Sequence, residues 1–205
     1  MLRAFLSILF ILVAAHLAAN GDAAAGAASY PICIACHGAN GEGNPALNAP
    51  KLAGQEAWYL TRQLTNFKAG IRGTVAGDTY GMQMRPMAMT LADDTAIANV
   101  VAHIQTLPVT KPAASVTGDV VLGEGLYGLC AACHGKSGEG VEALGGPALA
   151  GQNDWYLINA IKSFQAGRRG THADDTYGAQ MKPMAATLAS EAAMNNVVAY
   201  INTLE

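Results

Sequence analysis

Two short stretches, Cys33-Ile34-Ala35-Cys36-His37 and Cys130-Ala131-Ala132-Cys133-His134, hold every cysteine of the chain. In each, two thiols stand about one helical turn apart and an imidazole follows directly. That spacing lets each thiol form a thioether to one vinyl group of a porphyrin while the histidine projects onto the iron, the chemistry of covalent c-type haem attachment. Zinc ligation, a redox dithiol and structural disulfides are the competing uses of paired cysteines. A thioredoxin-like dithiol needs a βαβ setting, and the sequence has no strand alternation. Zinc or disulfides leave unexplained why a histidine follows the second cysteine both times. The expected cofactors are therefore two covalently bound c-type haems, held through Cys33, Cys36, Cys130 and Cys133, with His37 and His134 as axial ligands of the iron.

The sixth iron ligand has to be a second strong donor, and it should recur wherever the motif recurs. The motif returns after 97 residues, and so do Leu52-Ala53-Gly54-Gln55, Trp58-Tyr59-Leu60 and Asp78-Thr79-Tyr80-Gly81, without insertion or deletion. At this shift His103 falls on Tyr200 and His172 on Val75, while His16 lies in the N-terminal apolar segment, so histidine does not obey the repeat. Methionine does: Met84 falls on Met181 and Met87 on Met184, whereas Met82 and Met89 fall on Ala179 and Ala186. Within Gln83-Met84-Arg85-Pro86-Met87 and Gln180-Met181-Lys182-Pro183-Met184 the residues alone leave either methionine open as the ligand. The other has an ordinary role in flexible packing.

These groups have to be positioned by helices and loops. Ile97, Val100, Val101, Ile104 and Leu107 follow the spacing of one helical face, and Met194, Val197, Val198, Ile201 and Leu204 repeat it. Asp93 and Ser190 stand where an N-cap accepts the orphan backbone N–H groups. A second helix is expected over 56–68, burying Tyr59, Leu60, Leu64 and Phe67, with 153–165 as its partner, and a third should lead into each cysteine pair. The remaining segments are rich in Gly and Pro. The fold class is all-α with long loops, which are unusual in a small bare domain but fit a chain wrapped around a planar cofactor. Two prolines between Pro108 and Gly118 mark a short, stiff connector. The expected organisation is a signal peptide over 1–19, one haem domain over 20–107, a linker over 108–118 and a second haem domain over 119–205.

Composition agrees with this frame. The chain has 205 residues, of which only 6% are aromatic, so each half lacks large core side chains and a prosthetic group can supply the missing apolar bulk. A net charge of −3 and the absence of any Lys/Arg run exclude phosphate-driven binding of nucleic acid. Arg3 precedes an apolar stretch from Ala4 to Ala19 that ends on small residues, the layout of a cleaved secretory signal. The stretch is shorter than the ~20 residues that span a bilayer comfortably. Cleavage after Ala19 removes one Arg and no acid, moving the net charge from −3 to −4.

Through the two Cys-x-x-Cys-His motifs, the Pro-x-Leu-Ala-Gly-Gln stretches from Pro50 and Pro147, and the Met-x-x-Met segments ahead of the last helices, nearly all of the mature chain resembles the dihaem cytochromes c of the c4 type. The resemblance implies two class I cytochrome c folds packed with pseudo-twofold symmetry. It implies that the ligand methionine lies seven residues before the Leu preceding the last helix, which selects Met84 and Met181 by counting from Leu91 and Leu188. It further implies that the carbonyls of Pro50 and Pro147 receive the Nδ1–H of His37 and His134. Arg72 and Arg169 recur at matched positions, which leaves two roles open to them equally, propionate partner or solvated side chain. Trp58, Trp155, Tyr80 and Tyr177 are candidates for the pocket walls, with core packing the plainer role for the tryptophans.

A thioether donor favours Fe(II), so His/Met ligation raises the reduction potential, and a saturated iron has no position left for a substrate. The function this implies is a periplasmic electron carrier between a membrane cytochrome complex as donor and a terminal oxidase as acceptor. The alternatives are a dihaem enzyme, such as a thiosulfate dehydrogenase or peroxidase, and the electron-accepting cytochrome subunit of a dehydrogenase complex.

Overall fold

A computed structural model describes residues 21–204; the signal peptide expected over 1–19 lies outside them. Each half repeats one helical plan. In the first, α1 (Ala23–Ser29) and α2 (Pro31–His37) lead into the cysteine motif, followed by α3 (Ala57–Lys68), α4 (Thr79–Met89) and α5 (Asp94–Ile104). In the second, α6 (Val120–His134) does the work of α1 and α2 together, followed by α7 (Asp154–Gln165), α8 (Thr176–Ala186) and α9 (Glu191–Ile201). The difference at the start is local: Pro31 replaces Gly128 and divides the first helix at Tyr30, because proline has no N–H to continue the ladder. Among the described residues extended pairing is confined to two isolated bridges, Asn44 with Ala49 and Val141 with Gly146. The chain is all-α, as expected from its periodicity.

The last helix of each half is the core element. Ile97, Val100, Val101 and Ile104 of α5 are buried, as are Met194, Val197, Val198 and Ile201 of α9. Leu107 and Leu204 lie just beyond these helices and pack against the cores from outside. Asp93 caps α5 by accepting from Ala96 N–H at 2.8 Å, and Ser190 caps α9 through Ala193 N–H at 3.1 Å. The N-terminal helix crosses the last one at a glycine in both halves. A Cβ on Gly26 would lie 1.9 Å from the Asn99 carbonyl oxygen, and one on Gly123 would lie 2.1 Å from that of Asn196. Only glycine allows the two backbones to approach so closely.

Two expectations change. On α3, Leu60 and Phe67 are buried but Tyr59 and Leu64 are half-buried: Leu64 packs at the edge of the core and Tyr59 on the cavity wall. The methionine segments, expected among loops, are helical over Thr79–Met89 and Thr176–Ala186, with Pro86 and Pro183 inside. Asp78 and Asp175 nucleate these helices, each accepting at 3.1 Å from the N–H three residues on, Gly81 and Gly178. The prolines come late in each helix, where the missing N–H breaks only the final turn.

From Pro108 to Asp119 the chain has no helix. It is pinned to the second half by Asp154, whose carboxylate accepts from Ser115 N–H at 2.5 Å, Ser115 Oγ at 2.7 Å and Val116 N–H at 2.7 Å. The halves then meet through reciprocal bonds. Gln55 Nε2 donates to the Ala148 carbonyl and Gln152 Nε2 to that of Lys51. Glu56 accepts from Ala148 N–H while Asn153 Oδ1 accepts from Lys51 N–H. Every partner is displaced by the same 97 residues, so the contact is isologous within a single chain, the pattern that a twofold axis produces.

Candidate haem sites

Each half encloses a cavity between its cysteine motif, its central helix and its methionine helix. The cavity of the first half, about 190 Å³, is lined by Cys33, Cys36, His37, Met84 and Met87; that of the second, about 290 Å³, by Cys130, Cys133, His134, Met181 and Met184. All the candidate attachment and ligand residues therefore fall on their own cavity. Neither cavity separates the two methionines by lining alone, but burial does: Met84 and Met181 are half-buried, whereas Met87 and Met184 are exposed at 38% and 37%.

The histidines are held ready for a metal. His37 Nδ1–H donates to the Pro50 carbonyl at 2.7 Å, and His134 Nδ1–H to that of Pro147 at 2.7 Å. This fixes the tautomer and leaves Nε2 as the electron-pair donor. Both rings are buried, and burial lowers their pKa below the ordinary histidine range despite the opposing carbonyl bonds. The neutral, ligating form is thus the one the fold favours. The helix ends at the motif in each half, and Gly43 N–H and Gly140 N–H bond back to the carbonyls of His37 and His134 at 2.8 Å, turning the loop around the ring.

None of the four cysteines is in a disulfide. Burial pushes the Cys33 thiol up to about 11 and raises that of Cys130 as well, the reverse of the lowered pKa that a redox dithiol needs. Among the described residues no three His, Cys, Asp or Glu side chains gather as a metal-ion site, so the donors do not make a zinc cage. Each motif presents thiols and an imidazole to an apolar cavity instead, which fits a covalently held porphyrin.

The wall shared by the two cavities is built from residues that the sequence reading only partly identified. Arg72 and Arg169 line both cavities, and so do Tyr59 and Tyr156. Arg72 lies 4.5 Å over Phe67 and Arg169 4.3 Å over Phe164. Burial by itself would raise the Tyr156 phenol, but Arg72 and Arg169 beside it hold it below its ordinary value. Burial opposes the charge of Arg169, yet Tyr59 and Tyr156 raise its pKa above the usual arginine value. Arg72 Nε is buried with no hydrogen-bond partner, an orphan donor that an anionic group such as a propionate would satisfy. Tyr80 and Tyr177 line the first and second cavities respectively. Trp58 and Trp155 line neither and are half-buried, each packed edge-on against the tyrosine that follows it. The signal for Tyr59 and Tyr156 was their recurrence at the repeat shift; Arg62, which reaches the second cavity from the first half, had none, because its counterpart is Asn159.

Comparison with known proteins agrees with this architecture. The cytochrome c family model matches twice, over residues 23–108 and 120–205. A cytochrome c4 of Pseudomonas aeruginosa is 34% identical over 182 residues, 84% of each chain. A thiosulfate dehydrogenase electron acceptor of Stutzerimonas stutzeri is 34% identical over 157 residues, 71% of this chain and 68% of that protein. The crystal structure of reduced recombinant cytochrome c4 from Pseudomonas stutzeri superposes with a TM-score of 0.69 at 30% identity, covering 90% of this chain and all of that one. Two tandem domains of this kind carry two covalently bound c-type haems and serve electron transfer. The chain belongs to the cytochrome c family, within it to the dihaem cytochromes of the c4 type.

Proposed function

We propose that the protein is a periplasmic electron carrier rather than an enzyme, taking electrons from a membrane cytochrome complex and passing them to a terminal oxidase or similar acceptor. When bound, each haem supplies a one-electron Fe(III)/Fe(II) couple. Cys33 and Cys36 in the first domain, and Cys130 and Cys133 in the second, hold the porphyrin edges. His37 and His134 would ligate the iron through Nε2, oriented by the Pro50 and Pro147 carbonyls. Met84 and Met181 would supply sulfur as the second ligand, and their half-buried setting supports this choice over the exposed Met87 and Met184. The proposed boundaries are a signal peptide over 1–19, domains over 20–107 and 119–205, and a linker over 108–118. No helix among the described residues is long and apolar enough to cross a membrane.

The observation that carries the reading is the equivalence of the two sites: histidine and methionine recur at matched positions on both cavities. A dihaem enzyme needs one iron with a displaceable or missing ligand, and candidate ligands matched in both halves provide none. Saturated irons leave electrons as the only traffic, and carriers of this kind dock weakly so that partners are released quickly. Likeness to a thiosulfate dehydrogenase electron acceptor supports a second setting for the same activity, acceptance of electrons from a dehydrogenase rather than from a respiratory complex. The test is an oxidised-state spectrum together with an assay against thiosulfate. Two low-spin irons with the near-infrared band of sulfur ligation, and no reduction by thiosulfate unless a dehydrogenase is added, are expected. A high-spin fraction with unaided thiosulfate oxidation would replace the carrier by an enzyme.

A further inference from the structure

The two halves exchange side chains in matched pairs, and one pair is chemically unequal. Arg62 on α3 and Asn159 on α7 are separated by the repeat shift of 97 residues. Each reaches into the other half. Asn159 Nδ2 donates to Asn48 Oδ1 at 2.5 Å, and Arg62 donates to the Gly145 carbonyl at 2.7 Å, Asn48 and Gly145 being equivalent in turn. Asn159 lines the first cavity and Arg62 the second. Arg72 and Arg169 serve both cavities alike, so the difference lies in this pair: the first haem site receives a neutral amide where the second receives a further guanidinium.

The surroundings are adapted to that difference. Asn48 (φ 52°) and Gly145 (φ 68°) both turn left-handed, but a Cβ on Gly145 would fall 2.1 Å from Cδ1 of Tyr177. The glycine lets the Tyr177 ring lie against the loop, and the guanidinium of Arg62 stands 4.4 Å over that ring, with Trp58 at 4.9 Å and Tyr59 at 5.4 Å. Tyr177 is 41% exposed, and Tyr80, over which no described cation stacks, is 54% exposed. Among the described residues no carboxylate forms an ion pair with Arg62, and arginine keeps its charge at any physiological pH. Lys51 is no counterpart: it belongs to the wall of the first half's own cavity and directs its ammonium across to the Gly151 carbonyl at 2.9 Å.

We propose that Arg62 is a positioning residue lent by the first domain to the second haem site: it pins Tyr177 and the Gly145 loop at the rim of that site, and its charge raises the reduction potential there. The inference rests on both cavities holding haem. Reduction removes one positive charge from an iron, so a fixed nearby cation favours the reduced form. A unit charge roughly 10 Å away at an effective dielectric of ~20 biases that equilibrium about tenfold. The second haem site is then complete only when the first domain is docked on it, and the two potentials are separated by the partner domain as well as by their own.

A two-component redox titration of the dihaem protein, with each component assigned from its haem-methyl resonances, compares the natural chain with Arg62→Asn, which copies the other half. The second-domain component is expected to fall by about tenfold in its reduction equilibrium, about 59 mV by the one-electron relation, with the first-domain component moving far less. Arg62→Lys keeps the charge without the planar stacking and should retain most of the potential. Asn159→Arg should raise the first-domain component. No shift, or equal shifts of both components, in an Arg62→Asn protein that binds two haems would overturn the proposal. Should that variant fail to fold, Asn159→Arg decides, and an unmoved first component overturns it. A natural chain that binds fewer than two haems would instead overturn the reading beneath it.

Discussion

The two domains share one backbone plan yet differ in how it is secured. In the second, Ile158 and Ile161 are buried where the first has the exposed Thr61 and the half-buried Leu64. Asp154 straps the linker to the second domain, where the first has Ala57. The exposed Met82 and Met89 of the first domain are alanines in the second. The proposed haem ligands and the Pro50 and Pro147 carbonyls that hold the histidines recur at matched positions. The candidate site residues are thus matched in both copies, while packing and rim residues differ between them.

The sharpest way to break this picture is at the proposed sulfur ligands. Met84→Ala and Met181→Ala should each abolish half of the near-infrared sulfur band and lower the potential of one haem only, whereas Met87→Ala and Met184→Ala should leave the band intact. Unequal losses would show that the two sites are not equivalent.

Next in size are the helix crossings. Gly26→Ala and Gly123→Ala each force a methyl group against a backbone carbonyl and should cost about 1–3 kcal/mol by overpacking. Thermal unfolding followed in the two haem environments should show each substitution acting on its own domain.

Asp154 tests the inequality. It is 2% exposed, and although burial by itself raises its pKa, bonds from Val116, Ser115 and Asn202 hold it below the ordinary value. A carboxyl with a lowered folded pKa contributes stability that is present above its unfolded pKa of about 3.9 and lost as the pH falls through the folded value. Asp154→Ala should therefore cost about 1 kcal/mol at neutral pH by removing the bonds to the Ser115 and Val116 N–H groups, and less in strong acid. Hydrogen exchange at Ser115 and Val116 checks it, with no counterpart effect in the first domain. The smallest expected effect belongs to the exposed Lys162–Glu191 pair at 3.4 Å, present only in the second domain. Lys162→Ala should change stability by about 0.3 kcal/mol and not at all in high salt.

Much of this arrangement was legible in the sequence because it is repeated. Cys-x-x-Cys-His carries its own chemistry, the apolar spacing of 97–104 and 194–201 marks the core helices, and Asp93 and Ser190 mark where they start. What escaped was of two kinds. Pro86 and Pro183 hid the methionine helices, since a late proline is tolerated when Asp78 and Asp175 have already capped the start. The interface escaped because it is made of unlike residues. Arg62 and Asn159, or Glu56 and Asn153, show no kinship until the twofold arrangement sets them against matched residues, Gly145 and Asn48 in one case and Ala148 and Lys51 in the other.

The most direct test of the central claim is the haem stoichiometry of the mature chain, purified from a host that attaches haem c. Intact mass and the pyridine haemochrome should agree on two covalent porphyrins per polypeptide, one lost on Cys33→Ala with Cys36→Ala and the other on Cys130→Ala with Cys133→Ala. A colourless product, or a single porphyrin that either pair of substitutions removes, would contradict it.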